Sequence, residues 1–142
     1  MTTAAEMVAA LGLRAHPEGG WYRETWRAGA TLPGDRALAT AILFLLEAGQ
    51  RSHWHRVDAD ELWIFQAGAP LALSTAGAGG ALEAVMLGAD PRLGQAPQHL
   101  VAAGAWQSAE GAAAGWTLVA CVVAPGFEFS GFELAPPGWT PS

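Results

Sequence analysis

The chain has 142 residues, 51% of them hydrophobic and 14% charged, which is the size of one domain with ample material for a buried core. Its formal charge is −6 and its seven cationic residues are all arginines spread thinly along the chain, which excludes attraction to a phosphate backbone, Schiff-base chemistry and a P-loop lysine. The longest apolar run, residues 37–46, is about half of what a bilayer crossing needs, no basic stretch followed by an apolar core opens the chain, and the single Cys121 cannot close an internal disulfide.

Thr3-Ala4-Ala5-Glu6 has the form of a capping box, Ala4, Met7, Val8 and Leu11 recur at helical spacing, and Gly12 supplies a stop. A short amphipathic helix is predicted over about residues 3–12. From Trp21 the pattern changes to short apolar segments separated by glycine, proline and polar clusters. Strands are expected at residues 21–26, 38–46, 53–57, 61–66, 71–74, 82–86, 99–101, 116–123 and 129–134, with turns at 33–35, 76–80 and 88–91. So many short strands predict an all-β sandwich or barrel over about residues 20–135. Segments 38–46 and 116–123 are apolar almost throughout, so both their faces need cover: one from a lumen, the other from the helix, a second sheet layer or another subunit. Cys121, within the second of these, reads as a small buried core residue. No composition shift or internal repeat divides residues 1–142, which read as a single domain. Seven tryptophans favour an apolar interface, and a homodimer is expected.

The stretch from Gly49 to Gly68 sets His55 and Glu61 between two glycines: five residues separate Gly49 from His55, one separates His55 from Val57, three separate Val57 from Glu61, and six separate Glu61 from Gly68. This spacing resembles the first signature of the cupin superfamily of small β-barrels, and Ala102-Ala103-Gly104-Ala105-Trp106-Gln107 resembles the second. Two further segments, His16 to Thr25 and Ala124 to Leu134, resemble the flanking motifs of the Cupin-5 subfamily, domain of unknown function 985. The likeness spans roughly residues 13–135. It implies a jelly-roll, double-stranded β-helix barrel behind a short N-terminal α-helix. In the superfamily, two histidines and a glutamate of the first signature and a histidine of the second hold a metal. Here Val57 replaces the second histidine and Gln107 the last, so His55 and Glu61 are the ligands that survive.

Alternate side chains of a strand share a face, which places His53, His55 and Val57 on one side and Trp54 and Arg56 on the other, and groups Glu61 with Trp63 and Phe65. His55 and Glu61 are the expected catalytic pair. The expected ligand-binding set is Arg23, Ser52, Trp63, Phe65, Trp106 and Gln107, with Arg23 as a two-point grip for an anion. His53, His99 and His16 are read as rim, strand-start and structural residues. Three functions stay open. One is a metal-free isomerase or epimerase, like cupin relatives that act on nucleotide-linked sugars, with His55 as base, Glu61 orienting it, and Gln107 facing an enolate oxygen. Another is a metal-dependent enzyme using a divalent ion on His55, Glu61 and Gln107. The third is a module that binds a small molecule without chemistry. No cofactor is assigned, and a cytoplasmic location without nucleic-acid or membrane partners is expected.

Overall fold

In the computed structural model, which describes residues 2–77 and 79–142, helix α1 spans Ala4–Leu11. The Glu6 N–H donates to Thr3 Oγ1 at 3.1 Å, and Gly12, at φ +65°, turns the chain out of the helix. Eight residues are too few for a helix to persist alone in water. Its stability comes from packing: Ala4, Met7, Val8 and Leu11 lie on Leu13, Leu45 and Leu118. The helix therefore covers the outer face of the two apolar runs. No helix among the described residues is long and apolar enough to cross a membrane.

The strands are β1 (Arg14–Ala15), β2 (Trp21–Arg27), β3 (Thr40–Leu46), β4 (Arg51–Val57), β5 (Asp60–Gly68), β6 (Leu71–Ala76), β7 (Leu82–Leu87), β8 (Gln95–Ala96), β9 (Gln98–Val101), β10 (Trp106–Glu110), β11 (Thr117–Ala124) and β12 (Phe132–Leu134). They form two six-stranded sheets, ordered β1-β2-β3-β11-β5-β9 and β12-β4-β10-β6-β7-β8, packed as the all-β jelly roll expected. Among the described residues every strand pairing is antiparallel except β7 with β8. Between the sheets Phe44, Leu46, Trp63, Leu71, Leu73, Leu87, Val119 and Cys121 are sealed from water. Burying side chains of this size contributes roughly 1.5–3 kcal/mol each, and this layer is the floor on which the polar site rests.

Three departures from the expected pattern matter for function. Strand β10 was not among the expected strands because its centre is polar; Gln107 and Ser108 are nonetheless buried, each with a hydrogen-bond partner. Residues 129–131 form a single 3-10 turn before β12 rather than a strand. In β4, His55 pairs with Gln107 but Ser52 pairs with Ala109, so one extra residue is accommodated as a bulge. The bulge reverses the alternation. Ser52 turns inward with His55 and Val57, while His53 turns outward and reaches the Pro136 carbonyl at 2.9 Å, contrary to the expected shared face. The expected turn at 76–80 is closed by the Gly80 N–H on the Gly77 carbonyl at 2.9 Å; Ala78 within it lies outside the described residues.

Candidate functional site

The segment His16-Pro17-Glu18-Gly19-Gly20 is a tight turn laid against β4. The His16 N–H donates to the Gly20 carbonyl at 2.9 Å, and the His53 N–H donates to the Glu18 carbonyl at 2.7 Å. Gly19 has φ +105° and Gly20 φ +83°; a Cβ at Gly19 would stand 2.2 Å from the Arg51 carbonyl oxygen, and one at Gly20 would stand 2.7 Å from the Phe44 ring. Only two glycines allow this approach. The consequence is that Glu18 drops its carboxyl into the interior. There Ser52 Oγ donates to Glu18 Oε1 at 2.9 Å, and Glu18 Oε2 lies 3.1 Å from His55 Nε2.

The proton positions follow from these partners. His55 Nδ1 is 2.7 Å from the His53 carbonyl, which only accepts, so Nδ1 carries the hydrogen and Nε2 presents its lone pair to Glu18. Burial raises the Glu18 carboxyl to about 8, with the Ser52 hydroxyl pulling the other way, and burial lowers His55 against the opposing charge of Glu61. At neutral pH the contact is an O–H···N hydrogen bond between uncharged groups. His16 Nδ1 accepts the Glu18 N–H at 3.2 Å, and burial, then the charge of His55, lowers its pKa to about 4.

Glu61 is fixed separately. Trp63 Nε1 donates to Gln107 Oε1 at 2.8 Å, and Gln107 Nε2 donates to Glu61 Oε1 at 2.9 Å. Because the indole is only a donor, it dictates the orientation of the amide. Burial raises Glu61 as well; the nearby His55 opposes this, and the neighbouring Glu18 adds to it. Glu18, His55 and Glu61 all line a cavity of about 310 Å³ whose wall includes Tyr22 and Val57 and whose mouth is edged by Phe129.

The family model described as Cupin superfamily (DUF985) matches residues 5–135 of the chain. The chain belongs to the Cupin-5 family. It is 39% identical to protein SO0799 of Shewanella oneidensis, with a TM-score of 0.91, covering 95% of this chain and 85% of that one. A hypothetical protein from Leishmania major is 31% identical, with a TM-score of 0.85, over 94% of this chain and 88% of that one. A variant of oxalate decarboxylase from Bacillus subtilis shares the fold at 15% identity and a TM-score of 0.64, over 85% of this chain and 29% of that one. No curated protein matches the chain.

Of the residues expected to form the site of this Cupin-5 protein, His55 and Glu61 line the cavity. Ser52, Trp63 and Gln107 stand behind them and fix the carboxyls. Arg23 lies on the opposite face of β2 from Tyr22, near Gly12, and Phe65 is half-buried away from the cavity. Trp106 is on the outside, its ring 4.5 Å from that of Trp139 and 4.7 Å from the Arg56 guanidinium. The hydrogen bond to His55 expected of Glu61 is made by Glu18 instead. Strand alternation says nothing about a turn, so it does not single out Glu18; the signal in the sequence is the Gly19-Gly20 pair directly after it.

The four cupin ligand positions of this Cupin-5 protein do not fit a metal. Val57 is an apolar wall, and Gln107 spends its oxygen on Trp63 and its N–H on Glu61. Among the described residues no group of three or more His, Cys, Asp or Glu side chains is placed to hold a metal ion. Two remaining donors are fewer than a dependable transition-metal site needs.

Proposed function

We propose that the cavity binds a small carbonyl compound and moves a proton on the carbon beside the carbonyl, as a metal-independent isomerase or epimerase of a sugar or keto acid. The observation that carries this reading is the buried Glu18–His55 couple, a carboxyl and an imidazole 3.1 Å apart opening onto the cavity. As the Glu18 proton passes to His55 Nε2, Glu18 takes the proton of the breaking C–H bond, and the electron pair moves onto the carbonyl oxygen. Glu61, whose carboxyl burial pushes toward the neutral form, lines the same cavity and in that form donates a hydrogen bond to the oxygen. Return of the proton from Glu18 to the neighbouring carbon gives an isomer; its return to the same carbon after the enolate has turned over in the cavity gives an epimer. No oxidant or reductant is needed.

The cavity volume of about 310 Å³, at about 30 Å³ per water, holds roughly ten waters. A keto acid or a single sugar fits that space, whereas a nucleotide-linked sugar would leave most of its atoms outside. The test is proton exchange in deuterium oxide with a panel of 2-keto acids and ketoses, read by ¹H NMR. Exchange above the buffer rate should fall about 10²–10⁴-fold in His55→Ala and Glu18→Gln, the usual worth of a positioned acid or base. No panel member exchanging faster than in buffer, or wild-type exchange in Glu18→Gln, refutes the reading.

A further inference from the structure

The arginines of this chain divide sharply by partner. Arg27 holds Glu24 at 2.8 Å, Arg36 holds Asp58 at 2.7 Å, Arg51 holds Glu110 at 3.1 Å, Arg56 holds Glu133 at 2.8 Å and Arg92 holds Asp90 at 2.9 Å. Among the described residues Arg14 and Arg23 have no carboxylate at ion-pair distance, and of these two only Arg14 lines the cavity. Its position is set by the β1–β2 ladder, which pairs Arg14 with Tyr22 and so puts the two side chains on one face. The guanidinium carbon lies 5.4 Å from the centre of the Tyr22 ring, and Nη2 is 3.5 Å from the Tyr22 hydroxyl, the limit of a hydrogen bond. Stacking holds the group in place while leaving nearly all of its donors unused.

The other cavity groups leave that charge uncompensated. Burial raises Glu18 to about 8 and pushes Glu61 upward as well, neither lies at ion-pair distance from Arg14, and Glu24 is answered by Arg27. Glu128 is 3.8 Å from Arg36, whose own closer partner is Asp58. A cationic fork stacked on an aromatic ring at the rim of a small, partly apolar pocket matches a carboxylate or phosphate in shape and charge.

We propose that Arg14 is the anion-binding group of this cavity and that its substrate is a small anion, the carboxylate or phosphate held by Arg14 and the carbonyl end directed to Glu18 and Glu61. The orientation rests on the proton-transfer reading above; the anion subsite does not. Arg23, expected for this role from the sequence, faces the helix because strand alternation sends it away from Tyr22.

The experiment is a ligand-observed NMR titration of the full chain with matched pairs: pyruvate and glyoxylate against pyruvamide and methyl pyruvate, and dihydroxyacetone phosphate against dihydroxyacetone. At least one anion should bind tenfold or more tighter than its neutral partner. Arg14→Gln should remove that preference while leaving neutral ligands within twofold, and Arg14→Lys should restore part of it. Thermal melting of both variants checks that the fold is kept. Tighter binding of the carboxylates assigns a carboxylate, and of the phosphate a phosphoryl group. No anion preferred over its neutral partner, or an unchanged preference in Arg14→Gln, overturns the proposal. Arg14-dependent anion binding without proton exchange leaves the subsite standing and refutes the proton transfer; exchange with anion affinity indifferent to Arg14→Gln does the reverse.

Discussion

Replacing Glu18 by glutamine should flatten the alkaline limb of the stability curve. An unfolded glutamate titrates near 4.5 and the buried Glu18 near 8, so between those values the folded state holds a proton that the unfolded state has released. Its contribution to stability is complete below 4.5 and is lost as pH rises through 8. His16 acts with the opposite sign: its pKa falls from 6.5 to about 4 on folding, so its contribution is present above 6.5 and is lost as pH falls through 4. The two slopes oppose each other below 6.5, and above it the slope of Glu18 stands clear. His16 is common to both proteins, and removing the charge of Glu18 also relieves Glu61, whose pKa it raises. The window from 6.5 to 8 spans 1.5 pH units, and at about 1.36 kcal/mol per unit for one proton the wild type should lose about 2 kcal/mol that Glu18→Gln retains. Glutamine preserves the local geometry, since its oxygen accepts from Ser52 and its amide N–H donates to His55 Nε2. Urea denaturation of both proteins at pH 6.5, 7, 7.5 and 8 measures the gap, which amounts to roughly 6 °C in melting temperature for a domain of this size. Curves that stay parallel within about 0.5 kcal/mol would show that Glu18 is ionised in the folded protein, and the neutral couple with His55 would be wrong.

The donor set predicts that chain purified without an affinity tag carries transition metal well below one equivalent by elemental analysis and that EDTA leaves its melting temperature unchanged; a full equivalent removed by EDTA with a lowered melting temperature would contradict this. For the expected homodimer, the exposed Trp26 and Leu38 are apolar surface that the N-terminal helix does not cover, and light scattering at micromolar concentration should give twice the chain mass of 14.7 kDa. A mass near that of one chain would show that this surface stays open to water.

The sequence exposes the fold wherever a local rule decides the outcome. Thr3, Glu6 and Gly12 mark where the helix starts and stops, and the apolar runs become β3 and β11 because burial on both faces leaves one polar residue in each, Thr40 and Thr117, whose hydroxyls are hydrogen-bonded. The site is built where those rules are broken. Gln107 and Ser108 interrupt the apolar pattern that would have announced β10, and they are tolerated inside only because Trp63 and the Ser52 carbonyl satisfy them. The bulge in β4 exchanges Ser52 for His53 on the inner face, an event that depends on β10 pairing across from it and leaves no trace in residues 51–57. Glu18 enters through backbone contact between Gly19 and Arg51, residues remote in sequence, so the carboxyl that binds His55 is fixed by a close approach that no periodicity encodes. Each break seals a polar group beside the cavity at a cost that packing alone would avoid. These residues converge on His55 and Glu61 from β4, β10 and the turn before β2, and departures from pattern that gather at one cavity support the proposal that it is the functional site.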